Sequence, residues 1–102
     1  MRKHDPSHVG AMFEAWIAIC LAAGRRGVGV TYALETADAG LRDALGVALA
    51  RLGYPDAMVS AHRLGAAFCR LRGRFDAAGR WLDVAPTQPA ATWHVVTPVS
   101  MP

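Results

Sequence analysis

No glycine-rich loop ending in a Lys-Ser or Lys-Thr pair occurs in this chain, which excludes a nucleotide cradle of the P-loop kind. The Gly24 to Gly29 stretch is rich in glycine but reads as a turn. The three serines, Ser7, Ser60 and Ser100, lie outside any G-x-S-x-G elbow, so the strained turn that lifts a hydrolase serine out of its sheet is missing too. Cysteine is scarce. Cys20 and Cys69 have no metal-ligand spacing and read as small buried hydrophobes in a reducing compartment, with no disulfide expected. Long apolar runs are also absent: residues 15–23 fall far short of the roughly 20 that span a bilayer. Met1-Arg2-Lys3-His4 before that run imitates a secretory signal, but Asp5 and Glu14 break its pattern. His4 and His8 flank Asp5 at helical spacing, yet at a terminus that frays they do not make a metal site. His94 alternates with Trp93 on a strand and reads as a strand-face residue, not as a general base. The expectation is a cytoplasmic protein that is not an enzyme, with no cofactor, no metal and no membrane contact.

What is present is enough chain for one domain, 1–102, with 1–5 and 97–102 expected as flexible ends. Much of its 53% apolar content is alanine, which favours a compact helical domain. The net charge of +3 is unevenly spread. Residues 1–30 have a basic excess, residues 31–56 an acidic one, and residues 60–74 hold four arginines without an acid. A basic surface beside an acidic one suits a polyanionic partner.

Asp5-Pro6 starts the first helix, with Asp as N-cap and Pro where a missing amide costs nothing. Val9, Met12, Phe13, Trp16, Cys20 and Ala23 follow at helical spacing, and Gly24 closes the helix. Val28-Gly29-Val30 is too short to be more than a small strand. Thr31 caps a second helix to about Asp38, Gly40 marks a break, and Leu41 to Leu52 form a third helix ending at Gly53-Tyr54-Pro55.

Ser60 is the N-cap of a fourth helix over about Ala61 to Arg72, which Gly73 ends in a conformation of positive φ. Leu64, Phe68 and Leu71 share one stripe, and Arg63, Arg70 and the projected Arg74 fall on another, about a quarter-turn away. Residues 80–84 and 92–96 are short, aromatic and branched, and the Pro86 to Ala91 connection joins them as an exposed hairpin loop. The fold class is therefore mainly α with a small β-hairpin, an α+β domain. Its order is winged-helix-like: about four helices, a short strand that can pair with the hairpin into a three-stranded sheet, and the C-terminal hairpin. Trp16, Leu45, Leu64, Phe68, Leu71 and Trp93 are the predicted core.

Ala15-Trp16, Val28-Gly29-Val30-Thr31, Leu41-Arg42-Asp43-Ala44-Leu45, Ser60-Ala61-His62-Arg63-Leu64-Gly65, Arg70-Leu71-Arg72-Gly73-Arg74 and Trp93-His94-Val95-Val96 occur in this order. In that order they resemble the small C-terminal winged-helix-like domain of primase–helicase replication proteins from phages, plasmids and integrated elements. The resemblance covers roughly residues 10 to 97. It implies a module of a mobile genetic element that binds nucleic acid, DNA in the first place, without catalysis. The residues it points to are Ser60, His62, Arg63, Arg70, Arg72 and Arg74, with the arginines against phosphate. The chain departs from the family in Ala66-Ala67 and in the uncharged Pro86 to Ala91 tip. These departures, the stand-alone length and the acidic patch from Glu35 to Asp56 motivate a second expectation. In it the same fold serves a phage- or element-encoded effector, such as an anti-CRISPR inhibitor, that binds a host protein complex.

Overall fold

A computed structural model describes residues 6–86 and 91–98. The elements are α1 (Pro6–Ala22), α2 (Val30–Thr36), α3 (Ala39–Arg51), a 3-10 turn (Ala57–Val59), α4 (Ala61–Leu71), β1 (Trp81–Ala85) and β2 (Thr92–Val96). The chain is a small α+β domain of helices and one antiparallel hairpin.

α1 forms because apolar side chains recur every three or four residues. Val9, Met12, Phe13, Trp16, Ile19 and Cys20 are all buried. It ends where Gly24 takes φ +68, the left-handed region that L side chains avoid. Gly24 N–H then donates to Leu21 O and Arg25 N–H to Cys20 O, which satisfies two terminal carbonyls. Gly53, at φ +97, closes α3 the same way, with its N–H on Ala50 O and that of Tyr54 on Leu49 O. α1 packs along α3, and α4 completes the core through Leu64, Phe68 and Leu71. All six predicted core residues are buried.

Several boundaries differ from the sequence expectation. α2 begins at Val30 behind an extended Gly29, so Thr31 lies inside the helix and does not cap it. The break falls at Ala37-Asp38 and not at Gly40, because the Asp38 carboxylate accepts the Gly40 N–H at 2.9 Å and so caps α3. Ser60 caps α4 as expected, its hydroxyl accepting from Arg63 N–H at 3.2 Å. Gly73 does not adopt positive φ. The turn after Leu71 is closed instead by Arg74 N–H on Leu71 O, and it leads directly into a single bridge between Phe75 and Trp81. Cys69 is exposed, while Cys20 is buried as expected; both thiols are free.

The hairpin pairs Trp81 with Val96, Leu82 with Val95, Asp83 with His94, Val84 with Trp93 and Ala85 with Thr92. Pro86 and Ala91, the two described ends of its loop, are exposed; the rest of the loop, Asp5 and His4 lie outside the described residues. The expected third strand shrinks to one bridge, Val28 to Trp93, since the chain turns into α2 immediately after Gly29. Among the described residues the sheet therefore has two strands.

Candidate nucleic-acid interface

α4 presents its outer face through residues that do not pack. His62, Arg63, Ala66, Cys69 and Arg70 are all exposed, and no acid lies within the helix. At about 100° per residue, Arg63 and Arg70 project within roughly 20° of each other and form one edge of that face. Arg72, nine residues after Arg63, projects to the opposite edge. Arg74 stands beyond the helix end, so the expected row of three on one helical stripe stops at Arg70.

The acids nearby divide these cations into two kinds. Arg63 Nη1 lies 3.6 Å from Asp56 Oδ2 at the start of the 3-10 turn. Arg72 donates through Nε and Nη2 to Asp83 Oδ1 on β1, at 3.3 and 3.1 Å. The Asp83 carboxyl is held below its usual range: the Val84 N–H lowers it most, loss of solvation opposes this, and the Arg72 guanidinium and then His94 lower it further. Both pairs are open to solvent, where water and salt screen such contacts and leave them weak. Arg70 and Arg74 have no acidic partner among the described residues. Ser60 is committed to its cap, and His62 is exposed at the N-terminal end of the face.

A cleft of about 250 Å³ borders the Arg63 and Arg70 edge, with Tyr54, Pro55 and Ala57 on its far wall. A larger groove of about 930 Å³ runs between α2, α3 and the 3-10 turn, lined by Leu34, Val47, Met58 and Val59 among others. Val47 and Val59 are 53% and 72% exposed there.

Sequence reasoning missed a second charged cluster, which joins the buried Asp76 and the half-buried Arg80 to the exposed Glu14 of α1. Asp76 is only 7% exposed. Its carboxylate accepts from Ala78 N–H at 3.0 Å, Arg80 N–H at 2.8 Å and Arg80 Nε at 2.7 Å, while Arg80 Nη1 reaches Glu14 at 2.8 Å. Burial pushes the Asp76 carboxyl up, but the Arg80 and Ala78 donors outweigh it and hold the group below its usual range. The sequence mark was Asp76-Ala-Ala-Gly79-Arg80, in which Gly79 takes φ +80 to turn the chain. This cluster ties the start of the hairpin to α1 through the Arg80–Glu14 pair. Among the described residues no group of three His, Cys, Asp or Glu is placed to hold a metal, and no helix is long and apolar enough to cross a membrane.

Set against family models, curated proteins and solved structures, the chain matches none of them.

Proposed function

We propose that this chain is a non-catalytic, winged-helix-like nucleic-acid-binding module of a mobile genetic element, acting in the cytoplasm. The observation that carries this reading is the outer face of α4. Arg63 and Arg70 stand side by side on one edge, Arg72 on the other and Arg74 just beyond, and Arg70 and Arg74 lack acidic partners among the described residues. Guanidinium groups at such spacing suit phosphates, which position a nucleic acid without reading its sequence. His62 adds a donor at the N-terminal end of the same face. The resemblance to primase–helicase C-terminal domains supports the same reading.

A second reading is favoured by the groove at Val47 and Val59, whose exposed apolar side chains suit a protein partner better than a polyanion. In that reading the domain is an effector, of the anti-CRISPR kind, that grips a host protein complex. Anisotropy with generic duplex and single-stranded DNA at two salt concentrations separates the two. The first reading expects binding that weakens as salt rises. Absence of binding at low ionic strength removes it and leaves the groove as the surface to pursue.

A further inference from the structure

Phe75 is 59% exposed, and its ring meets that of Trp81 edge-on, with centroids 5.9 Å apart and planes at 63°. The backbone bridge between the same two residues fixes the pair. Side chains alternate along β1, and Leu82 is fully buried, so Trp81 and Asp83 share the outer face of the hairpin with their cross-strand partners Val96 and His94. Arg72 reaches this face through its two bonds to Asp83, which lies about 7 Å along the strand from Trp81. Arg74 directly precedes Phe75. Among the described residues of the two strands, Asp83 is the one acid on this face, and Arg72 already engages it. The result is an aromatic pair, Phe75 exposed and Trp81 half-buried, bordered by cations at the point where the arginine-bearing segment passes into the hairpin.

We infer that Phe75 and Trp81 form a base-stacking platform for a single strand of nucleic acid, with Arg72 and Arg74 holding the flanking phosphates. This rests on the nucleic-acid reading above and specifies its strand form. A duplex hides the faces of its bases within the stack, whereas an unpaired base offers a face to an exposed ring whatever its sequence. The chain from Arg72 to Phe75 spans at most about 11 Å, so a cation stays within reach of the backbone of any nucleotide stacked on the ring. The charge of Arg72 and Arg74 suits a polyanion, which an apolar protein surface does not provide.

The test measures anisotropy of the full chain with labelled oligo-dT, oligo-U, an abasic strand of equal length and a duplex. Oligo-dT and oligo-U should bind more tightly than the abasic strand, and their ratio shows whether the 2′-hydroxyl matters. Phe75→Ala should weaken oligo-dT binding about 5- to 100-fold and leave duplex binding unchanged. Phe75→Leu, which keeps apolar bulk without a ring, should lose most of the same affinity. Quenching of tryptophan emission by oligo-dT but not by the abasic strand is expected from Trp81, and it reads the parent protein even if a variant folds poorly. Equal affinity for abasic and oligo-dT strands, or no effect of Phe75→Ala on a folded variant, overturns the platform while leaving the arginine face intact. Failure to bind any of the four at low salt overturns both.

Discussion

The indole Nε1 of Trp16 donates to the backbone carbonyl of Trp93 at 2.9 Å, and the same oxygen accepts the Val28 N–H at 3.3 Å. One carbonyl thus joins α1, the loop before α2 and the hairpin. Phe68 of α4 packs edge-on against both tryptophans, with centroids 4.7 Å from Trp16 and 5.5 Å from Trp93. Phe68→Ala removes the ring that both tryptophans share and should cost about 3–5 kcal/mol, a large part of the stability of a domain this size. Thermal unfolding followed by circular dichroism checks it; an unchanged melting temperature would refute the core assignment.

Two glycines should respond to alanine in opposite directions. A Cβ at Gly27 would lie 2.7 Å from the Trp93 carbonyl oxygen, a backbone atom that cannot move aside. At Gly65, inside α4, a Cβ meets nothing within 4 Å. Gly65→Ala should stabilise the protein by about 0.5–1 kcal/mol through helix propensity, while Gly27→Ala should lower the melting temperature and loosen the Val28 to Trp93 bridge. Paired thermal melts decide the matter.

Acid should weaken the anchor between α1 and the start of the hairpin. The folded Asp76 carboxyl titrates below its ordinary value, so the unfolded chain binds more protons in the interval between the two. The contribution is complete above the unfolded pKa, about 3.9, and is lost as pH falls through the lower folded value. Asp76→Asn keeps an oxygen for the Ala78 and Arg80 amides but gives up the charge. Urea midpoints measured from pH 6 to pH 2 should fall less steeply in this variant than in the parent.

The two thiols should differ in reactivity. Cys20 is buried, and loss of solvation raises its pKa to about 11 despite a hydrogen bond involving the Val28 backbone, whereas Cys69 lies open on α4. A thiol reagent at pH 8 should modify one cysteine in the native protein and the second only on unfolding. Peptide mapping identifies which, and fast native labelling at Cys20 would contradict the packing of α1.

Sequence pattern and structure agree wherever a single strong local cause operates. Ser60 before a striped helix, Gly24 after one, and the aromatic segment at 92–96 each left one physical solution. Agreement failed where two local rules competed. Thr31 and Gly29 both suit the start of α2, and the helix begins behind Gly29, while Asp38, through the Gly40 amide, and not Gly40 itself, sets the start of α3. Gly73 and Gly79 both permit positive φ, and Asp76, which binds its own downstream amides, assigns it to Gly79. The arginines of α4 were legible as a basic face, but their pairing with Asp56 and Asp83 depends on tertiary neighbours that helical periodicity does not contain. The exposed Phe75 was hidden for the same reason: in sequence an isolated Phe reads as core.

If the arginines of α4 and of the turn after it meet phosphate, nucleic-acid affinity must depend on salt through those side chains. The decisive comparison is between the parent protein and the Arg63→Ala, Arg70→Ala, Arg74→Ala triple variant. Removing one arginine that neutralises a phosphate should reduce the slope of log affinity against log salt by about 0.9 for duplex DNA, so the triple variant should fall short of the parent by about 2.7. Its melting temperature should stay near that of the parent, since these side chains are exposed and lie off the Leu64, Phe68 and Leu71 stripe. A parent protein that shows no salt-dependent binding, or a folded triple variant with an unchanged slope, would refute the phosphate-binding role of these arginines.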